Sequence, residues 1–461
     1  RDVDLALRLH GAPLGSQLGR GVRRDRRAVT VLSADWLVPV EGTPIRDGAV
    51  EIDDATGTIA AVGPREELGD SVHYDEAVIL PGFVNAHTHL EYEVYAGFGD
   101  GLGFADWIGL HVQRKARIDL ADMEASARLG AFNCLRSGIT TVGDCSFSGA
   151  AATACADLGL RGTIYLEVFG ESDAPIRERF EPMRERLDGL PETVRLGISP
   201  HAPYTCTIEL YRACAELDLP IATHLAESAA ETQFLRTGTG TGAWESFAEM
   251  LVPPPGTTGI RALAEAGLLS SNVIAAHCVE ADEEEIALLA EHDVAVAHCP
   301  RSNGILGCGV APLQALREAG IRVCIATDSP ASTPSFDMFD EMRAAIVGAR
   351  ARENRPDALS TAGALELATL GGARALGLGD EIGSVVPGKK ADLTILSLAD
   401  TSFVPWEDPV TGAVLGGAPQ GVVATLVSGK PRYEKGGKTW LELIDAARKA
   451  RGRLLQDAET S

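Results

Sequence analysis

The run Pro81-Gly82-Phe83-Val84-Asn85-Ala86-His87-Thr88-His89-Leu90 carries the sharpest chemical signal in the chain. Side chains alternate faces along a strand, so His87 and His89 point the same way and both imidazoles can turn toward one metal ion. An isolated His-x-His pair is a weak indicator, because two such histidines more often pack or face solvent. Here the pair ends an apolar run that follows Pro-Gly, where a buried strand gives way to a loop. Five further runs set polar side chains of catalytic type beside apolar stretches: Ser199-Pro200-His201-Ala202-Pro203-Tyr204-Thr205, Thr223-His224-Leu225-Ala226-Glu227, Ala276-His277-Cys278, His298-Cys299-Pro300-Arg301-Ser302-Asn303 and Ala326-Thr327-Asp328-Ser329.

The elements that must position these groups follow from the rhythm of the chain. Between about 82 and 375, short β-branched runs alternate with helical stretches, which predicts parallel strands linked by crossover helices. Eight strands are expected, ending near His87, Asp144, Val168, His201, His224, His277, His298 and Asp328, with helices such as Ala281 to Glu291 and Leu313 to Ala319 between them. An α/β chain of this kind closes as a (β/α)8 TIM barrel, whose catalytic groups gather at the C-terminal strand ends. Most of the expected ends carry His or Asp, which a random scatter of ten His would rarely give.

Strand-like runs also open the chain (Val29 to Leu32, Gly48 to Ile52, Thr58 to Val62) and return near its end (Ala391 to Leu396, Val422 to Val427). They are expected to complete one small β-sandwich domain built from both chain ends, residues 29–80 and 381–435, around a barrel at 81–380. A basic, loose arm (1–28, with Arg20, Arg23, Arg24, Arg26 and Arg27) and a C-terminal helix (436–461, about Trp440 to Gln456) flank them. That helix is expected on the outside of the barrel, free to serve a homo-oligomer contact. The loop Glu91 to Asp106, and the segments Thr237 to Gly242 and Pro253 to Gly256 around an expected helix Ala243 to Leu251, are placed to shape a substrate site.

The six motifs in this order, together with the split β-domain, resemble the amidohydrolase superfamily in its cytosine, adenosine-thioether and triazine aminohydrolase branch, over about 29 to 435. The resemblance implies one divalent ion held by His87, His89, His224 and Asp328. Three neutral imidazoles and one carboxylate suit Zn2+, with Fe2+ and Mn2+ as alternatives, and leave an open position for water. It further implies Asp328 as proton acceptor, Glu227 as the acid that protonates a ring nitrogen, and His277 as a stabiliser of developing charge. Two-metal relatives need a Lys at the end of the fourth strand. That strand ends in His201 here, so one metal is expected and His201 becomes a substrate contact. Taken alone, Asp328 could equally be a helix N-cap before Ser329-Pro330. His298 reads as structural or supporting, and Asn303 as a brace of its loop and a candidate substrate contact. His10, His73, His111 and His292 lack supporting spacing and read as surface or packing residues.

The implied activity is release of ammonia from an amino-substituted heterocycle, foremost a purine nucleoside such as aminofutalosine or an adenosine derivative. Glu227 favours deamination over the alternative, an s-triazine chlorohydrolase or alkylaminohydrolase, because chloride leaves without a proton. Thioether-nucleoside deaminases carry a ribose-gripping acid a little beyond the Trp that corresponds to Trp107, where this chain has Arg114-Lys115-Ala116. His89-Leu90-Glu91 and Phe104-Ala105-Asp106-Trp107-Ile108 look closer to aminofutalosine deaminases, so Trp107 and Arg114, with Lys115, become candidate contacts for a carboxylated substrate. A non-catalytic scaffold relative is the third reading, and the complete ligand set speaks against it.

Bulk properties bound these readings. The 461 residues are 45% hydrophobic, enough for one large core and a second small one. A formal charge of -24 disfavours nucleic acid and anionic membrane surfaces as partners, leaving a small-molecule substrate. No apolar run approaches the ~20 residues that cross a bilayer, and a cytoplasmic address is expected. The nine Cys, odd in number and without a CxxC pair, read as buried reduced thiols.

Overall fold

The computed structural model describes residues 28–239, 244, 248–401, 403–437 and 439–456. The expected basic arm falls almost wholly outside the described residues, as do Ala243 and three further positions of the expected helix Ala243 to Leu251.

Both chain ends build one sheet. Strands β1 (Val29–Leu37), β2 (Ile45–Asp53), β3 (Thr58–Pro64) and β4 (Val72–Pro81) come from the first part of the chain. The barrel strands β5 to β12 follow, and β13 (Leu393–Ser397), β14 (Val422–Val427) and β15 (Lys430–Glu434) come from the last part. Hydrogen bonds join the end strands in the order β15-β14-β13-β4-β1-β2-β3, so both chain ends do share one unit, but the β-sandwich expected there is a single seven-stranded mixed sheet. Only the β1–β4 pair is parallel, and β4 meets β13 antiparallel, stitching the two chain ends together. Leu32, Val50, Ile52, Ile59, Ile79, Leu393, Ile395 and Leu426 form its apolar core.

β4 leads straight into the barrel through Pro81-Gly82. A side chain at Gly82 would place its Cβ 2.2 Å from the Thr140 side chain, so only Gly lets the two units meet this closely. The barrel strands β5 (Phe83–Thr88), β6 (Ile139–Ser146), β7 (Arg161–Val168), β8 (Val194–Pro200), β9 (Ile221–Leu225), β10 (Val273–His277), β11 (Ala295–His298) and β12 (Val323–Ile325) pair in sequence order, all parallel. Their ends fall at or close to the expected residues. A bridge between Thr88 and Asp328 joins the last strand region to the first. Small residues fill the interior, among them Ala86, Ala222, Ala295, Ala297 and Ala326 with Val84, Tyr165 and Ile274. Nearly every strand residue is buried, the signature of a parallel sheet covered on both faces.

The barrel and the end sheet are locked by a buried ion pair. Arg161, at the start of β7, donates from Nε and Nη2 to the two carboxylate oxygens of Asp392, at 3.0 and 3.1 Å. The C-terminal helix Thr439–Leu454 packs Ala447, Ala450 and Leu454 against Val94, Tyr95 and Leu129. Arg451 of that helix donates to the Val94 and Ala96 carbonyls at 2.8 and 2.9 Å, so the helix backs the segment that follows His89. Among the described residues, no helix is long and apolar enough to cross a membrane.

Candidate metal centre and substrate cavity

His87 is the second-last residue of β5, His89 lies just beyond it, His224 is in β9 and Asp328 comes after β12. Their ligating atoms lie within 4.8 Å of one another, and all four residues are buried. Asp328 Oδ1 is 3.4 Å from both His87 Nε2 and His89 Nε2, and His224 Nε2 is 3.4 Å from His89 Nε2. A tetrahedron of Zn–N and Zn–O bonds about 2.0–2.1 Å long has edges of about 3.4 Å. The spacing therefore suits one small divalent cation, and His87 Nε2, with no hydrogen-bond partner among the described residues, is the kind of buried atom that such an ion satisfies. The cluster is a divalent-metal-binding site of the kind that holds Zn2+.

Neighbouring groups fix each ligand. His224 Nδ1 donates to the His201 carbonyl at 2.8 Å, which leaves Nε2 with its lone pair toward the centre. Asp328 Oδ2 accepts from the Ser302 and Ser332 hydroxyls at 2.6 and 2.9 Å, so Oδ1 is the free oxygen. The Asp328 backbone N–H donates to the His87 carbonyl at 3.0 Å, and its φ of 61° lies in the left-handed region. His277 shares that strained backbone, with φ 72°, which matches the concentration of such residues at functional sites.

Electrostatics sort the groups further. Burial lowers His224 well below its ordinary value and lowers His87 as well, so both are neutral at neutral pH. Burial would lower His89 too, but the Asp328 carboxylate outweighs it and raises the imidazole to about 9. Burial would raise Asp328, yet the His87 and His89 imidazoles, each 3.4 Å from its Oδ1, hold it well below the usual carboxylate range. Glu227 behaves in the opposite way. Burial first, then the Asp328 and Glu231 carboxylates, push it well above its ordinary value, which favours its protonated form.

Glu227 Oε1 is 3.7 Å from His277 Nε2. His277 Nδ1 donates to Asn303 Oδ1 at 2.9 Å, so Nε2 of the neutral ring is the acceptor facing Glu227, and burial lowers this histidine to about 4. His201 Nδ1 meets Thr205 Oγ1 at 2.8 Å, and the Thr205 hydroxyl itself donates to the Ala202 carbonyl, leaving His201 Nε2 as an acceptor. Burial lowers His201 to about 3.

A cavity opens onto this centre. His89, His201, His224, Glu227, His277 and Asp328 line its floor, and Trp107 lines its wall, with its indole N–H on the Ala331 carbonyl at 3.2 Å. The structure thus brings together every expected ligand and catalytic residue, with His201 and Trp107.

Two expected substrate contacts are placed elsewhere. Asn303 is fully buried behind His277 and does not line the cavity. Arg114 turns away, its guanidinium donating to the Leu454 carbonyl at 2.9 Å and lying 4.1 Å from the Phe98 ring centroid. The reason is helical. In the helix Phe104–Lys115, residues Phe104, Ile108, His111 and Lys115 share the face that lines the cavity, and Arg114 sits about 100° around the axis from Lys115.

Lys115 is therefore the cation in the cavity, and His111 is a wall residue, its ring 4.6 Å from Trp107 and 5.3 Å from Tyr95. His298 is buried outside the ligand quartet. His73 lies far off in the end sheet, with Nδ1 on Ser33 Oγ at 2.9 Å. Sequence reading passes over Glu167, a cavity residue one position before the expected strand end at Val168. Its signal is a lone carboxylate in the apolar run Ile164-Tyr165-Leu166-Glu167-Val168.

Comparison with known proteins agrees with this geometry. Residues 78–435 match the amidohydrolase family. The chain is 34% identical over 418 residues to a 5-methylthioadenosine/S-adenosylhomocysteine deaminase of Moorella thermoacetica, covering 87% of this chain and 93% of that protein. It is 33% identical over 423 residues to a 5'-deoxyadenosine deaminase of Methanothermobacter thermautotrophicus, covering 87% and 94%. The crystal structure of an adenosine deaminase from Xanthomonas campestris with bound zinc superposes with a TM-score of 0.81 at 29% identity, covering 92% of this chain and 98% of that one.

Proposed function

The chain belongs to the amidohydrolase family, and from that premise we propose how its cavity carries out hydrolytic deamination of an adenosine-type amino-heterocycle. The enzyme is a metal-dependent deaminase. The observation that carries the proposed mechanism is Glu227, a buried carboxyl group that lines the cavity close to Asp328 and His277 and is pushed toward its protonated form while Asp328 is held toward its ionised form. Two carboxyl groups whose environments push them apart divide into an acid and a base.

His87, His89, His224 and Asp328 would hold a divalent cation, which would supply Lewis acidity and make water ionisable near neutral pH. The protein's own groups handle the protons. As water adds to the ring carbon bearing the amino group, Asp328 takes one proton and Glu227 gives its own to the adjacent ring nitrogen. The new hydroxyl proton passes to the amino nitrogen, which leaves as ammonia, and the proton on Asp328 restores Glu227. A keto product remains. His277, fixed by Asn303, orients the Glu227 carboxyl, and His201 Nε2 offers an acceptor to the heterocycle.

The need for an acid that protonates a nitrogen supports deamination over chloride displacement. A carboxylated substrate such as aminofutalosine would have to use Lys115, since Arg114 lies outside the cavity. Nine buried, unpaired thiols support a reducing, cytoplasmic setting.

Replacing Glu227 by Gln tests the assignment. Bound zinc should stay stoichiometric while ammonia release from adenosine-type nucleosides falls at least about a hundredfold. Near-normal turnover with full metal content would remove Glu227 from the mechanism.

A further inference from the structure

The cavity holds a second polar end that the deamination chemistry does not use. Glu167, at the end of β7, is 2% exposed and lines the cavity. Among the described residues, nothing donates a hydrogen bond to its carboxylate and no ion pair within 4 Å reaches it. Its neighbours are committed elsewhere. Glu91 is consumed by the helix Ala150–Leu158, accepting from Ser146 Oγ and from the Ser148 and Ala150 backbone N–H groups at 3.0 and 3.1 Å. Arg179 spends its guanidinium on the Glu167 and Phe147 carbonyls and on the Phe147 ring, 4.0 Å from its centroid.

Lys115 lines the same cavity and is the only Lys to do so among the described residues. Its ammonium donates to the Tyr92 hydroxyl and lies 3.9 Å from the Phe147 ring centroid. One of its three N–H donors is thus used and the others remain available. Lys115 and Glu167 attract each other but form no ion pair. A free donor and a free acceptor face one cavity, both buried, with a gap between them.

We propose that Lys115 and Glu167 bind neighbouring hydroxyl groups of the substrate, and so select nucleosides that carry an intact sugar diol. A hydroxyl donates one hydrogen bond and accepts others, so a pair of them can accept from Lys115 and donate to Glu167 at once. A carboxylate tail fits less well, because Glu167 already opposes the Lys115 charge. A substrate without hydroxyls leaves a buried carboxylate unpaired, which is the basis of strong discrimination. The inference rests on the adenosine-type reading of the reaction and specifies which part of the nucleoside is read.

Calorimetric binding of inosine and 2',3'-dideoxyinosine to the zinc-loaded enzyme tests it without turnover. Wild type should favour inosine by about tenfold or more, and both Glu167→Gln and Lys115→Met should narrow that preference to within about threefold, by loss of charge-assisted hydrogen bonds. Binding of dideoxyinosine and zinc content should be unchanged in both variants. An equal affinity of wild type for the two nucleosides, no binding of either, or a preference that persists in both variants would overturn the assignment. Adenosine turnover by wild type is measured alongside. Diol preference without ammonia release would sink the deamination reading alone, and ammonia release without diol preference would sink this one alone.

Discussion

Zinc uptake by the metal-free protein should release one proton, and that proton sits on His89. The Asp328 carboxylate, 3.4 Å from His89 Nε2, raises this imidazole to about 9 against the pull of burial. His87 and His224 are lowered by burial and are already neutral. A ligand nitrogen must present its lone pair, so below pH about 9 the cation has to displace the His89 proton, and affinity climbs with rising pH until it levels off above that value. One displaced proton gives one decade per pH unit. Between pH 6.5 and 8.5 the zinc dissociation constant should therefore fall about a hundredfold, or about 2.7 kcal/mol. Competition against a chromophoric chelator of known pH dependence measures the slope. Calorimetry in two buffers of different ionisation enthalpy counts the proton directly. A flat profile with no buffer dependence would mean that all three imidazoles are neutral in the free site, and the coupling of His89 to Asp328 would be refuted.

Two further outcomes follow from the surroundings of the centre. Asn303→Leu removes the acceptor that fixes His277 without touching the ligand quartet, so kcat should fall about ten- to a hundredfold, the usual scale for losing an orienting partner, with zinc content unchanged. Parallel loss of zinc would instead place His277 among the ligands. Arg161→Met strands the buried Asp392 carboxylate and should cost about 3–5 kcal/mol, read from the urea midpoint, with partial recovery when Asp392→Leu is added. A change below about 1 kcal/mol would mean that water relieves the stranded charge.

The barrel was legible in the sequence because parallel strands buried on both faces must be short apolar runs. Each run stops where a polar residue meets the loop, and those polar residues are the chemistry. His87, His224, His277 and Asp328 are thus readable as strand ends and as site residues at once. The end sheet was less legible. β4 is exposed and charged over its first half and runs without a break into the Pro81-Gly82 motif, while β15 is five mostly exposed residues at a sheet edge. Neither shows the apolar pattern by which a strand is read. The pairing of β4 with β13 also links positions more than three hundred residues apart, which no local pattern encodes.

Substrate recognition was hidden for a different reason. Arg114 and Lys115 are adjacent and alike in charge, yet one helical step sends the first to the Leu454 carbonyl and the second into the cavity. Only the apolar spacing of Phe104, Ile108 and His111 could have told them apart, since Lys115 continues that face and Arg114 leaves it. Glu167 illustrates the converse. A charged residue inside a buried strand is costly wherever it lies, so its presence there signals a partner, whether ion, metal or ligand. Because the described residues supply none, the demand falls on the molecule that enters the cavity. On the proposed reading, the strand ends around the metal-ligand quartet set which bond is broken, and the helix Phe104–Lys115 with the end of β7 sets which molecule presents that bond.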